Sequence, residues 1–281
     1  MRFILPYGVT ALLYAVLAWH FWRTRWGDDA PAATAAWERA AILAALALHS
    51  SFLYEDILGS QEFRFGFGQA LSVMMWITVL IYWIESLFLR LDGMQPVVLA
   101  LAAVCAPLPA LFPGFVSPPQ AQSLEFRLHT LIAMLAYSLF TVAALHGLLM
   151  TFMERRLHGG HSPGTGAGPL VGPFGALPPL LTMETVLFRI IAAGFVLLTL
   201  TLATGVVYSE TIFGKAMQFN HKTLFAFVSW FIFAALLGGR YLYGWRGRVA
   251  LRWTLAGFVT LLLAYIGSRF VLEVILHRTL V

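Results

Sequence analysis

Only one cysteine, Cys105, occurs in 281 residues, so this chain can build no internal disulfide, no paired-thiol redox centre and no thiolate-rich metal cluster. Charge is nearly as scarce. Asp, Glu, Lys and Arg make up 11% of the residues, where a soluble domain carries about a quarter. The net charge of +5 does not point to nucleic acid, because the basic residues are scattered at the ends of apolar runs and form no single face. Catalytic signatures are missing too: no Ser/His/Asp order, no metalloprotease motif and no paired catalytic carboxylates. The glycines of segment 154–180 are not followed by Gly-Lys-Ser/Thr or preceded by a strand pattern, so the segment resembles a phosphate-binding loop only superficially. The chain is expected not to be an enzyme.

What the sequence does hold is apolar surface. Sixty per cent of the residues are hydrophobic and the mean hydropathy is +0.80, values for which the bilayer is the natural solvent. About twenty apolar residues make a helix that crosses a hydrocarbon core of about 30 Å. Spans are expected near 3–22, 37–55, 67–89, 96–116, 128–152, 183–208, 219–243 and 250–272. The fold class is therefore all-α: a polytopic transmembrane helical bundle of about eight spans, read as a single membrane domain over 1–281. The first run has a weak positive start and no small-residue cleavage site, so it reads as a retained span. The second run is the weakest, because it opens on Glu38 and Arg39 and carries His49, Ser50 and Ser51. Segment 154–180, rich in Gly and Pro, has the composition of a flexible loop, and its His158 and His161 make a poor metal site there.

Lys and Arg gather on the cytoplasmic side of membrane proteins. The span ends place Arg23, Arg25, Arg39, Arg90, Arg155, Arg156, Arg240, Arg246, Arg248 and Arg252 on one side, against the smaller set Arg2, Arg64, Arg127, Lys215, Lys222 and Arg278. Both termini are thus expected on the outer side of an inner (plasma) membrane. The cluster Trp245-Arg246-Gly247-Arg248 is the strongest local signal.

An ionisable group in or beside a span is costly and is a functional candidate by default. On the expected topology His129 opens the fifth span and His221 the seventh, both at the outer face. Two imidazoles brought to one face by separate helices suit axial ligation of haem iron, whereas zinc wants further ligands. A haem also needs aromatic surface and cations for its propionates. Tyr208, Phe213, Phe219, Phe225 and Trp230 offer the first, and Arg127, Lys215 and Lys222 the second. An interfacial histidine can equally cap a helix, and aromatics form a belt in any membrane protein. His49, inside the second span, either joins the site or bonds a neighbouring helix, and His277 past the last span is a further ligand candidate. His20 and His146 fall towards the cytoplasmic side. Arg269 and Glu273, four apart, read as a structural pair, and Glu85 as snorkelling or paired with Arg90.

Beyond these groups, Phe213-Gly214-Lys215-Ala216-Met217-Gln218-Phe219-Asn220-His221-Lys222 resembles in length the W-G-x-Y-W-x-W-D-P-K segment of the cytochrome c assembly family. Gly214 and Lys222 match it outright, and Trp230 and Arg240 fall at the positions expected downstream. Leu128-His129 with Tyr137 resembles the stretch carrying that family's outer histidine. The runs Arg240-Tyr241-Leu242-Tyr243-Gly244-Trp245-Arg246-Gly247 and Ala264 to Glu273 resemble its YpjD-like branch, and the CcsA, CcmC and HemX groups are related. Phe213, Met217, Phe219, Asn220 and His221 depart from the segment's tryptophans, acid and proline. The resemblance implies haem binding or handling in cytochrome c assembly, with His129, His221, Trp230, Phe219, Lys222, Arg127, His277 and His49 around the haem and a cytochrome c assembly protein as partner. The rival readings are a transporter or accessory subunit of a membrane complex, or a regulator of haem synthesis.

Overall fold

In the computed structural model the described residues are 4–25, 34–57, 64–88, 93–114, 123–159, 179–213 and 220–276. They form helices α1 Ile4–Arg25, α2 Ala36–Ile57, α3 Phe67–Phe88, α4 Gln95–Cys105, α5 Leu108–Leu111, α6 Leu124–Gly159, α7 Leu180–Phe213, α8 His221–Tyr243 and α9 Gly247–Leu262. Six helices, α2, α3, α6, α7, α8 and the α9 run continued to Ile275, are long and apolar enough to cross a membrane, and Gln95–Leu111 is a shorter apolar helix. With the 22-residue α1 the described residues place a helix at each of the eight expected positions, six of them long and apolar enough to cross. Pro107 and Pro109 break the fourth, because a proline inside a helix removes a hydrogen bond and clashes with the preceding turn.

Helix direction alternates, and bonds at both ends of the bundle show it. At the end called upper here, Gln69 Nε2 of α3 donates to Asp56 Oδ2 of α2 and to the Pro113 carbonyl, and Phe67 N donates to Glu273 Oε2. At the lower end Arg25 of α1 meets Glu38 of α2, Arg248 meets Glu154, and Gln95 Nε2 donates to Thr34. The starts of α1, α3, α6 and α8 are therefore upper. Helices α1 to α5 pack as one group and α6 to α9 as another, joined where α3 lies along α6.

The surface is what a lipid solvent demands. Leu5, Leu12, Val16 and Trp19 of α1 and Phe231 of α8 stand exposed, while Thr10, Glu38, His49, Gln69, Ser72 and His146 are buried. Apolar contact with lipid costs nothing, so helix association rests on close packing and internal polar bonds. Close packing surrounds Phe140 of α6, stacked on Phe233 of α8 at 3.8 Å. A Cβ on Gly194 of α7 would lie 3.1 Å from the Phe140 ring, and one on Gly257 of α9 would lie 2.8 Å from the Phe233 ring. Both glycines let the stacked pair sit between backbones.

Glu38 and His49, two of the polar residues that weaken the second run, are met by side chains distant in sequence. Glu38 accepts from Arg25 Nη2 at 2.6 Å and from Ala35 N at 2.7 Å, and it lies 2.8 Å from His20 Nε2. Ser50 and Ser51 donate to carbonyls in their own helix. In the last span, Tyr137 Oη donates to the Leu261 carbonyl at 2.7 Å. That carbonyl is the ordinary α-helical acceptor for Tyr265 N–H, and the chain widens into π turns at Leu263–Gly267 and Val271–Ile275. The expected Arg269–Glu273 pair forms at 3.0 Å. Helix α6 runs through residues 154–159 of the expected loop and α7 begins at Leu180. Residues 160–178, His161 among them, lie outside the described residues.

Candidate functional site

Helices α6 and α7, 36 and 34 residues long, run antiparallel, and at 1.5 Å per residue they extend about 54 and 51 Å, beyond a core of about 30 Å. Their reach fixes depth. His129, in the second turn of α6, and His146 are seventeen positions apart on that helix, about 25 Å along its axis, with His129 towards the upper end.

The His129 ring is held by α7. Its Nδ1 lies 2.7 Å from Thr204 Oγ1, and Thr204 Oγ1 in turn donates to the Leu200 carbonyl at 2.8 Å. A hydroxyl has one proton to give. If that proton goes to Leu200, Thr204 accepts from His129 Nδ1–H and the Nε2 lone pair stays free; if it goes to Nδ1, the imidazole proton sits on Nε2. No partner for Nε2 occurs among the described residues. Gly205 of α7 brings the backbone close, since a Cβ there would sit 3.4 Å from His129 Cε1. Phe126 and Tyr208 flank the ring at centroid distances of 6.1 and 6.0 Å. A histidine with one nitrogen fixed and the other bare is the arrangement found at metal ligands.

The other expected site residues separate into groups. His221 is the first residue of α8, at the same upper end, where Asn220 caps the helix by accepting from Thr223 N at 3.1 Å. The His221 side chain is exposed and makes no hydrogen bond or ion pair with described residues. Lys222 is half-buried and within electrostatic reach of Arg269 and Glu273. Arg127 is half-buried two positions before His129. Trp230 sits nine positions down α8, about 13 Å from its start, where its Nε1 donates to Thr199 Oγ1 and its ring meets Phe195 at 5.3 Å. It is thus a wall deeper in the membrane than His129, whose partner Thr204 is five positions nearer the upper end of α7. Phe219 and His277, with Lys215, lie outside the described residues.

His49 is placed elsewhere. It is fully buried between α1, α2 and α3, with Nδ1 3.3 Å from Tyr14 Oη and Nε2 2.8 Å from Ser72 Oγ. Both nitrogens are occupied in bonding three helices. His20 pairs with Glu38 at the lower end. His146 is buried in the lower half, with Nδ1 3.0 Å from the Val142 carbonyl and Nε2 3.9 Å from Glu85 Oε2. Glu85 therefore has His146 beside it, while Arg90, its expected partner, lies outside the described residues. Among the described residues no three His, Cys, Asp or Glu come together as a metal cage.

A family profile described as Cytochrome C assembly protein matches residues 36–276, from the start of α2 to the last turn of the α9 run. This chain belongs to the cytochrome c assembly protein family. Within that family it is similar to the inner membrane protein YpjD of Escherichia coli K12, 29% identical over 247 residues that cover 85% of this chain and 89% of the relative. It is also similar to the cytochrome c biogenesis protein CcsA of Prochlorococcus marinus AS9601, 26% identical over 66% of this chain and 67% of the relative. With CcsA of Prochlorococcus marinus MIT 9515 it shares 38% identity over 88 residues, 31% of this chain and 28% of the relative. No solved structure matches. The family match includes α6, α7 and α8, and hence His129, Thr204, Tyr208, His221 and Trp230, but leaves out α1 and with it Tyr14, the partner of His49.

Sequence reasoning found His129 and Tyr208 but not Thr204, which fixes the imidazole. Thr204 is 75 positions from His129 and lies in an apolar helix among Thr199 and Thr201, which also donate to their own helix. No local pattern distinguishes it.

Proposed function

We propose that this inner-membrane member of the cytochrome c assembly family binds haem at the outer face of the membrane and passes it on, with His129 and His221 as axial ligands. The observation that carries the reading is the His129 imidazole, with Nδ1 2.7 Å from Thr204 Oγ1 and no partner for Nε2 among the described residues. Neutral Nε2 is the form of histidine that ligates haem iron. Phe126, Tyr208 and, deeper, Trp230 offer aromatic surface, with Phe219 as the further member expected from the sequence. Lys222 and Arg127 are the cations proposed to meet the propionates. His221, exposed at the start of α8, is available to be the second ligand, and His277 is the reserve candidate. His49 could ligate only by giving up Tyr14 or Ser72.

Bound haem supplies redox-active iron; the protein's part is to bind and orient it, and it makes and breaks no covalent bond itself. The clustering of arginines at the lower end of the bundle supports both termini on the outer side, and a cytochrome c assembly partner would supply the client. The test is the visible spectrum of the detergent-purified protein, oxidised and reduced, beside a His129→Ala, His221→Ala double variant. A Soret band with bis-imidazole features, lost in a double variant that still folds, is the expected result. Protein from haem-sufficient cells without such a band, with added haem binding both forms equally, would refute it.

A further inference from the structure

At the lower end, opposite the histidine site, the second half of α6 and the first turns of α7 and α9 diverge around a cavity of about 330 Å³. That volume is in the range of small-molecule sites, about 300–1,000 Å³. Its walls are apolar: Gly147 and Met150 from α6, Leu181 and Leu187 from α7, Leu251 from α9. Its mouth is charged. Arg248 pairs with Glu154 at 3.1 Å on one side, and Glu184 accepts from Arg240 and lies 3.8 Å from Arg246 on the other.

Three features of the mouth favour an anion. Arg246 and Arg248 keep side-chain exposures of 63% and 65% despite their ion pairs, so each retains donors for a ligand. Arg155 and Arg252, each adjacent to a lining position, are exposed as well, which leaves basic charge in excess of Glu154 and Glu184. The first turn of α9 faces the same opening with no side-chain cap on its free N–H groups, and a helix N-terminus adds positive potential to the arginines. Depth is set by aromatics: Tyr241 and Tyr243 stand exposed, and Trp245 packs on Trp253 at 5.2 Å, as in an interfacial belt. From the mouth at Glu154 to Gly147 the cavity descends about 10 Å along α6, into acyl-chain depth.

We infer that this cavity is a binding site for an anionic phospholipid, with an acyl chain between α6, α7 and α9 and the headgroup phosphate against Arg246 and Arg248. The leaflet that attracts basic residues is also the one that carries anionic lipid, and such a lipid presents both an apolar chain and a negative headgroup to this one opening. The site is independent of the haem proposal.

The test is native mass spectrometry of the delipidated full chain in mild detergent, titrated with phosphatidylglycerol or with phosphatidylcholine of the same chains. The parent is expected to retain one phosphatidylglycerol and to bind phosphatidylcholine at least tenfold more weakly. Arg246→Gln with Arg248→Gln should bring phosphatidylglycerol down to the phosphatidylcholine level. Leu181→Trp, at an exposed position of the wall, should weaken both lipids while leaving every arginine in place. Equal retention of the two lipids by the parent would overturn the inference, as would an unchanged Leu181→Trp variant or competition by glycerol phosphate at the same concentration as the lipid.

Discussion

Replacing Thr204 by Val tests whether the α7 hydroxyl sets the chemistry of His129. Valine keeps the branched shape but has no oxygen, so Nδ1 loses the acceptor at 2.7 Å and the imidazole proton is free to move to Nε2. Loss of a residue that orients a metal-ligating histidine typically costs ten- to a hundred-fold in affinity, about 1.4 to 2.8 kcal/mol at 1.4 kcal/mol per decade. The assay is titration of the purified protein with ferric haem followed at the Soret band, with parent, Thr204→Val, Thr204→Ser and His129→Ala compared. Serine can donate to Leu200 and accept from His129, so Thr204→Ser should bind within about threefold of the parent, well inside the tenfold floor for losing such a partner. Thr204→Val should weaken binding by the full factor without changing the thermal midpoint greatly, because Thr204 is only half-buried. If Thr204→Val binds like the parent while His129→Ala does not, His129 is a ligand but the tautomer argument is wrong. If neither variant changes affinity, the haem reading of this histidine falls.

Glu38→Gln leaves Arg25, which is 3% exposed, facing a neutral amide inside the bundle; breaking a buried pair from one side costs about 3–5 kcal/mol, seen as a lower unfolding midpoint in detergent. Gly257→Val drives a side chain into the Phe233 ring, an overpacking cost of about 1–3 kcal/mol, and Phe233→Leu in the same chain should recover part of it. His49→Phe strands the Tyr14 hydroxyl at about 1–3 kcal/mol and leaves Ser72 only the Ala106 carbonyl at 3.5 Å, so stability should fall while haem titration stays within error of the parent; a lost Soret band in a folded His49→Phe protein would make His49 a ligand after all.

The spans were readable because lipid imposes a length on every apolar run, and α3 and α8 follow their runs closely, while α6 extends beyond 128–152 at both ends to Leu124–Gly159. The second span was the weakest reading for a reason the structure makes plain. Its charge and imidazole look costly in isolation, but Glu38 is answered by Arg25 and His20 from α1, and His49 by Tyr14 from α1 and Ser72 from α3. Hydropathy scores a residue alone, whereas the cost of a buried polar group depends on a partner that only the fold provides. The fourth span was read too long for a related reason. Its apolar run continues to Val116, but Pro107 and Pro109 interrupt the helix, which ends at Leu111.

The histidines carry the same lesson into function. Three of them, His49, His129 and His146, are intramembrane or interfacial and look alike in sequence, yet their nitrogens meet different fates. His49 has both nitrogens bonded, which makes it a tie between three helices. His146 has its Nδ1 at a carbonyl of its own helix and its Nε2 near a carboxylate at 3.9 Å, a pairing closed to large ligands by complete burial. His129 alone among the three combines a fixed Nδ1, a bare Nε2 and partial exposure at the upper end of the bundle. What separates a ligand from a strut is thus how many ring nitrogens are bonded and whether the bare one is exposed: His129 meets Thr204 alone, His146 meets Val142 alone in a fully buried place, and His49 meets both Tyr14 and Ser72. Thr204, Tyr14 and Ser72 sit on other helices, beyond the reach of any local sequence pattern.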